Sequence, residues 1–342
     1  MLELSAENIP AVQSHLQDLG WIEPTTQLTN PRSAGEGNMN RTLRVDCTGS
    51  NATHTSLILK QAVPFVAKYP DIPAPIERGA AEAAFYTATK KHAEVAARLP
   101  ELLGCDAANH LLAFEDLGAA LDLSAAYATP GIAERLPNFM PSLLSWLSQL
   151  HSIAPPAELT NMAMRQLNHT HIFDLPLQAN NGLELGELGG IASDFANDSA
   201  LVSAAKKLGA IYLGEQDYAS TPALLHGDFY PGSWLADLNG TSPVVSIIDP
   251  EFTFVGPAEF DVGVCLAHLQ FAGLSAQQAS RCIASYSGSN KFDMALAEGF
   301  AGIELIRRLL GVAQLPLATD TSTATKTQWL NTGRGMVLAS AS

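Results

Sequence analysis

Apolar residues in the first twenty positions fall at helical spacing. Ile9, Val12, Leu16 and Leu19 share one face and Gly20 follows as a stop, which predicts an amphipathic N-terminal helix. From about residue 25 to 120 the period shortens towards two. Residues 41–47 alternate, with Leu43, Val45 and Cys47 on one face. Residues 56–61 form a short apolar run that carries Lys60 near its end, and 110–117 form another, closed by Asp116, Leu117 and Gly118. Between them, 77–97 is rich in Ala and Glu and predicts one helix. The order strand, strand, helix, strand suits a sheet with one helix packed on it.

Beyond about 121 the character changes. Residues 140–153 have helical spacing through Leu143, Leu144, Leu147 and Leu150, and 200–213, 261–272, 276–286 and 294–312 also predict helices. The short apolar runs 224–226 and 244–248 lie beside turn residues and predict small strands that hold loops. The expected fold class is α+β: an N-terminal lobe, 1–117, built on an antiparallel sheet with one main helix, and a mainly helical C-terminal lobe, 118–342.

Composition narrows the function classes. Hydrophobic residues make up 47% of the 342 positions and charged residues 15%, which supports a sizeable core and argues against disorder. No apolar run is long enough to cross a bilayer, and the start lacks the basic and apolar blocks of a signal peptide, so a cytoplasmic protein without membrane attachment is expected. The formal net charge of −15 disfavours nucleic acid and anionic membrane as partners. A nucleotide bound to such a chain needs a local cation, from Lys, Arg or a metal. Cys47, Cys105, Cys265 and Cys282 are scattered without a CxxC and read as free thiols, and the nine His show no zinc-like clustering.

The strongest chemical signal is LLHGDFYPGSWLAD followed by SIIDPEF. Each has an apolar lead-in and then carboxylates in a turn. Phosphoryl transfer needs one carboxylate near the acceptor hydroxyl and others on Mg²⁺. Asp228 follows the 224–226 strand, Ser233 lies five residues later, and Asp249 and Glu251 offer hard oxygen ligands after the second strand. His226 is either a base or a brace for the loop.

HGDFYPGS with IIDPEF resembles the signature of the aminoglycoside phosphotransferase and choline kinase group, of protein-kinase-like fold, and within it the 5-methylthioribose kinase branch. That branch similarly has Ser in the catalytic loop and D-P-E-F in the metal motif, and VGPAEFDVG is similar to its continuation. The resemblance implies Asp228 as catalytic base and Asp249 with Glu251 as Mg²⁺ ligands, with Ser233 either ligating metal or orienting Asp228 or a metal-bound water. The loop SAGEGNMN resembles the branch's D-G-N-x-N, with Glu36 in place of Asp, and puts Gly35, Gly37 and Asn38 beside the phosphates of ATP. Lys60, at the head of KQAVPFV, is similar to the kinase strand lysine, with Glu82 as its helix partner and Glu77 as the rival. Backbone groups near Glu115 and Leu117 are expected at the adenine edge.

Arg307 and Arg308 resemble an Arg pair near the acceptor site, and Trp234 is a candidate to border that site or to fill the core. The departure is FYPGSW in place of the branch's LHTGSI, which changes the acceptor lining through Tyr230 and Trp234. The implied activity is ATP- and Mg²⁺-dependent phosphorylation of a small-molecule acceptor, with ATP between the lobes and a methylthioribose-like sugar as acceptor. The alternatives are another acceptor, such as an amino alcohol, an aminoglycoside or a different sugar, or a silent nucleotide-binding relative. A homodimer is compatible with all of these.

Overall fold

A computed structural model describes residues 2–35, 37, 39–50, 52–179, 181–238 and 245–341. The chain divides into two compact units, Met1–Ala119 and Ala120–Ser342.

In the first unit, helix α1 (Ile9–Asp18) precedes strands β1 (Gln27–Ser33), β2 (Arg41–Thr48) and β3 (Ser56–Gln61) and the hairpin β4 (Phe65–Val66) and β5 (Tyr69–Pro73). Helices α2 (Arg78–Thr89) and α3 (Ala93–Ala96) and strands β6 (Leu102–Asp106) and β7 (Leu111–Glu115) follow. Five strands form an antiparallel sheet in the order β1-β2-β3-β7-β6. Side chains alternate across a strand, so β3 sends Leu57 and Leu59 to one face and Ile58 and Lys60 to the other. Leu57 and Leu59 are buried with Val45, Leu111 and the α1 residues Val12 and Leu16. Each such burial stabilises the fold by roughly 1.5–3 kcal/mol. The face that carries Lys60 takes α2, so the sheet has α1 as a second helix on its other side. A contact of 2.7 Å between His15 Nε2 and Asp106 Oδ2 ties α1 to β6.

The single helix predicted over 77–97 is broken. Its first part ends at Thr89, whose hydroxyl donates back to the Phe85 carbonyl at 2.9 Å. Lys90, Lys91 and His92 then supply no apolar face to continue it.

Among the described residues the second unit has short strands β8 (Leu121–Asp122), β9 (Ala223–Leu225), β10 (Trp234–Ala236), β11 (Val245–Ile247) and β12 (Phe254–Gly256). Its helices are α4 (Pro130–Ala133), α5 (Leu136–Ser152), α6 (Met162–His169), α7 (Gly189–Asn197), α8 (Ser199–Leu213), α9 (Glu259–Phe271), α10 (Ala276–Ile283), α11 (Met294–Leu310) and α12 (Thr323–Ser340). Every residue of α9 is buried, so its polar side chains Glu259, Asp261, His268 and Gln270 need partners inside the protein.

Helices α11 and α12 cross at backbone contact. A Cβ on Gly302 would stand 2.5 Å from the Gly333 carbonyl oxygen, and one on Gly333 2.6 Å from that of Gly302. The Asp198 carboxylate caps α8 through the Ala200 and Leu201 N–H groups and accepts from Arg334 Nε of α12 at 2.7 Å. Among the described residues no helix is long and apolar enough to cross a membrane.

Two small ladders matter most for the site. In one, β9 pairs with β12, Leu225 opposite Phe254, and in the other β10 pairs with β11, Trp234 opposite Ile247. Together they pin the loop after β9 against the loop after β11.

Candidate active site

In the first unit Lys60 Nζ lies 2.7 Å from Glu82 Oε2. Lys60 is 8% exposed and Glu82 2%, so the pair is shielded from water. The rival acid, Glu77, is exposed at the N-cap of α2. Arg78, the next residue, is wholly buried. Its guanidinium donates to Asn40 Oδ1 at 3.0 Å and to the carbonyls of Val63, Pro75 and Met39 at 2.8, 2.7 and 2.7 Å. It thereby fixes the end of the glycine-containing loop. At the loop's start, Ser33 Oγ donates to the Gly35 carbonyl at 2.8 Å. Gly35 has φ +120°, where a side chain would be strained, and Gly37 is exposed. Asn38 and Glu36 lie outside the described residues.

At the end of β7 the Glu115 N–H donates to the Glu101 carbonyl at 2.9 Å, so that donor is spent inside the unit. Leu117 follows, half-buried, at a bend fixed by Asp116. The Asp116 carboxylate accepts from Ser56 Oγ at 2.6 Å and the Gly118 N–H at 2.9 Å and pairs with Arg44 at 2.8 Å.

In the second unit Asp228 follows a turn that only glycine fits. Gly227 has φ +86°, and a Cβ there would collide with the Phe252 carbonyl. Asp261 of α9 holds this turn. Its carboxylate accepts from the His226 N–H at 2.7 Å and the Gly227 N–H at 2.9 Å, and His151 Nε2 lies 3.1 Å from it. The Asp228 N–H donates to His226 Nδ1 at 3.3 Å, which leaves Nε2 as donor to the Ile248 carbonyl at 3.0 Å. With these two contacts His226 braces the two loops against each other. Ser233 Oγ donates to the Asp228 carbonyl at 2.9 Å, and the Ile248 N–H donates to the Ser233 carbonyl at 3.0 Å. The Ser233 hydroxyl is thus tied to the backbone of Asp228.

Asp249 adopts φ +67°, a left-handed conformation that Asp tolerates better than most residues. Glu251 is 2% exposed. The Asn161 amide donates to the Glu251 and Thr253 carbonyls at 3.0 Å each, and Thr253 Oγ1 donates to the Leu225 carbonyl at 2.7 Å. Mg²⁺ takes one or two protein carboxylates and fills its remaining positions with water and phosphate oxygens. The donor chemistry of Asp249 and Glu251 fits that ion. The Asp249 charge is also felt at Asp228.

Asp228 meets the arginine pair of α11. Arg308 donates to Asp228 Oδ1 at 3.4 Å, and Arg307 has a terminal nitrogen 3.8 Å from the same oxygen. Both arginines are anchored behind by Glu304. Arg308 Nε donates to Glu304 Oε1 at 2.8 Å, and Arg307 Nε donates to Oε2. Arg308 also lies over the Tyr230 ring, 4.9 Å from its centroid. Burial pushes the Asp228 carboxyl up to about 6, Arg308 and Arg307 pull it down, and Glu304 and Asp249 add to the rise. Burial alone would raise Glu304 too, yet Arg307 and Arg308 hold it well below the usual carboxylate range.

The structure thus gathers Asp228, Ser233, Asp249, Glu251, Arg307 and Arg308 within the second unit. Trp234 is a correction. It is 0% exposed, with its ring 5.0 Å from Phe229, because alternation along β10 points it inward. It fills the core and offers no face to an acceptor. Asp261, Glu304 and Arg78 escape the sequence reading. Asp261 had one signal, a carboxylate inside an otherwise apolar helix. Glu304 had another, its spacing of three and four residues from the two arginines.

A carboxylate on a glycine turn, nearby carboxylates suited to Mg²⁺, and a buried strand lysine held by a helix acid are the groups that phosphoryl transfer calls for. A family model described as "Phosphotransferase enzyme family" matches residues 34–300, and the chain belongs to that family. A methylthioribose kinase of Bacillus velezensis is 27% identical over 340 residues, covering 87% of this chain and 82% of that protein. One of Exiguobacterium sibiricum is 30% identical over 273 residues, covering 75% of this chain and 64% of its own length. Among solved structures, the choline kinase LicA from Streptococcus pneumoniae gives a TM-score of 0.54 at 12% identity, covering 96% of this chain and 98% of that one. Its AMP complex gives 0.57 at 12% identity, covering 98% and 100%. At such identity the likeness speaks to the fold, which is the expected class: an antiparallel sheet unit followed by a mainly helical unit.

Proposed function

We propose that this phosphotransferase is an ATP-dependent kinase that phosphorylates a hydroxyl of a methylthioribose-like sugar, with Asp228 as the base. The observation that carries the reading is the Arg307–Arg308 pair, anchored on Glu304 and leaning on Asp228. Two carboxylates and two guanidiniums balance one another there. A balanced, arginine-lined site favours a neutral polyol over a cationic acceptor such as an amino alcohol or aminoglycoside. The relatives named methylthioribose kinase support the same choice.

In this mechanism the acceptor hydroxyl donates to Asp228. Its proton passes to the carboxylate as its oxygen bonds to the γ-phosphorus, and the bond to ADP breaks. Lys60, held extended by Glu82, binds the α- and β-phosphates, and the backbone around Gly35 and Gly37 approaches them closely. The segment from Glu115 to Leu117 takes the adenine edge. Mg²⁺, bound by Asp249 and Glu251, would neutralise charge on the phosphates. Arg307 and Arg308 orient the acceptor against the base. Positioning and charge neutralisation carry most of the rate.

A specific observation favours a second reading, a different sugar acceptor: the Tyr230 ring covers Arg308 and so reshapes the acceptor side. The test is ADP formation from Mg·ATP with methylthioribose, other pentoses, choline and an aminoglycoside in turn. Turnover with methylthioribose is expected. Turnover with choline alone contradicts the acceptor assignment, and nucleotide binding without turnover on any acceptor points to the silent relative.

A further inference from the structure

Tyr127 and His268, which the mechanism above does not use, form with the anchor Glu304 a line of buried polar side chains. They are 5%, 0% and 1% exposed. The Tyr127 hydroxyl lies 2.6 Å from His268 Nδ1, and His268 Nε2 lies 2.9 Å from Glu304 Oε1. The protons along the line can be assigned. Glu304 is ionised between two guanidiniums and only accepts, so His268 Nε2 carries the hydrogen. Burial pushes the His268 ring down to about 4, so it is neutral and its Nδ1 lone pair accepts from the Tyr127 O–H. The direction of donation runs from Tyr127 through His268 to Glu304.

At the far end Glu304 divides its oxygens. Oε1 accepts from His268 and Arg308, and Oε2 accepts from Arg307. Neighbouring residues on a helix point about 100° apart. One carboxylate can serve both arginines only if its plane is fixed between them. The third donor, His268, comes from another helix, α9, and fixes that plane. Among the described residues, the groups that face the cluster from other elements include Asp228 and Tyr230 of the loop after β9, Tyr127 itself and, towards Arg307, His171 and Tyr212, with the Tyr230 ring 4.8 Å from that of His268. The Tyr127 end is anchored as well, since its carbonyl accepts from the Ala318 N–H at 3.3 Å.

We propose that Tyr127, His268 and Glu304 form a positioning relay that aims Arg307 and Arg308 at Asp228, with His268 as the member that sets the Glu304 carboxylate between them. The proposal rests on the reading of Asp228 as base, and its test separates the two. His268→Leu removes both hydrogen bonds, His268→Gln keeps an amide donor for Glu304, and Tyr127→Phe removes only the distal donor. A clamp displaced by about 1 Å costs on the order of 100-fold, so kcat falls about that far in His268→Leu. The KM for Mg·ATP stays within about twofold, because uniform binding is untouched. His268→Gln recovers most of kcat. Tyr127→Phe loses less than His268→Leu, and the double variant is no slower than His268→Leu alone, as expected of members of one chain.

A second readout needs no turnover. In the full-length protein with ¹⁵N-labelled arginine, the Arg307 and Arg308 Nε–H signals exchange slowly with water in the wild type and in His268→Gln, and rapidly in His268→Leu. Unchanged exchange and unchanged kcat in folded His268→Leu overturn the proposal. Equal losses in the Leu and Gln variants also overturn it, since His268 would then serve packing alone. If His268→Leu does not fold, faster Nε–H exchange in Tyr127→Phe than in wild type supports the relay and unchanged exchange overturns it. A wild type that turns over no acceptor, yet shows His268-dependent protection of these signals, sinks the reading of Asp228 and supports the relay.

Discussion

Two regions of this chain hold cations with helix acids, and they hold them differently. On β3, Lys60 lies 2.7 Å from Glu82 of α2. On α11, Arg307 and Arg308 share the single acid Glu304. The first pair cancels its charge on the spot, and the acid mainly keeps a flexible side chain extended. The second arrangement leaves one positive charge over, and Asp228 meets it from 3.4 and 3.8 Å. These contacts are longer than the 2.8 Å bond from Arg308 Nε to Glu304. The arginines are anchored on Glu304 and only lean on Asp228. A carboxylate gripped at close range would be a weak base, whereas Asp228, half-buried and loosely met, is pushed up to about 6. Tight pairing suits a group that only has to stay in place, and loose pairing suits one that must take a proton.

Glu304→Gln should break the comparison most severely. It leaves two buried guanidiniums short of an anion, which costs about 3–5 kcal/mol of stability. It also frees the clamp, so turnover falls on the order of 100-fold. Denaturant unfolding and acceptor-dependent ADP formation check the two effects. Glu82→Gln comes next. It acts on the nucleotide side, so the KM for Mg·ATP should rise roughly 10–100-fold, the worth of one charge-assisted bond, with a smaller change in kcat. Initial-rate kinetics on both variants would refute the contrast if Glu82→Gln changed kcat alone.

The third prediction is a pH profile. Asp228 titrates at about 6 in the fold against 3.8 for the ordinary group, so the fold holds this proton more tightly than the unfolded chain does. The stability this group contributes is present at low pH and is lost as pH rises through about 6. Activity runs the other way. Below about pH 6, kcat/KM should fall about tenfold per pH unit as the base is protonated. Arg308 pulls the Asp228 pKa down, so Arg308→Gln should move this limb to higher pH. A limb that moves down would contradict the assignment. The smallest effect belongs to Ser233→Ala. Loss of one neutral hydrogen bond to the Asp228 carbonyl is worth about 0.5–1.5 kcal/mol, or roughly 2–10-fold in turnover. A far larger loss, accompanied by weaker Mg²⁺ binding, would show that Ser233 ligates the ion.

How much of this was legible depended on how local each signal was. Asp228, Ser233, Asp249 and Glu251 sit in two short motifs, and the strands beside those motifs pair with each other, so the sequence pattern announced both the residues and their convergence. Lys60 stood out through its resemblance to the kinase strand lysine, since its strand alone suited a side chain that reaches solvent. Helix α12 was not, because it buries only Leu330, Gly333 and Val337, and one of those is glycine. The grip of Asp261 on the turn before Asp228 spans more than thirty positions, and the line from Tyr127 to His268 spans 141, distances at which no periodicity speaks. Trp234 misled for a related reason. Its place in the motif suggested the acceptor pocket, but strand alternation decides where a side chain points, and the three-residue strand is too short to show its own phase. The break after Thr89 escaped because Ala- and Glu-rich sequence favours helix on both sides of it.

The most direct measurement compares Asp228→Asn with the wild type in two parallel assays, acceptor-dependent ADP formation and calorimetric binding of Mg·ATP. If Asp228 takes the acceptor's proton, turnover falls on the order of 1,000-fold while the nucleotide Kd stays within about twofold. Turnover near the wild-type rate, or a loss that tracks a loss of nucleotide binding, would contradict it.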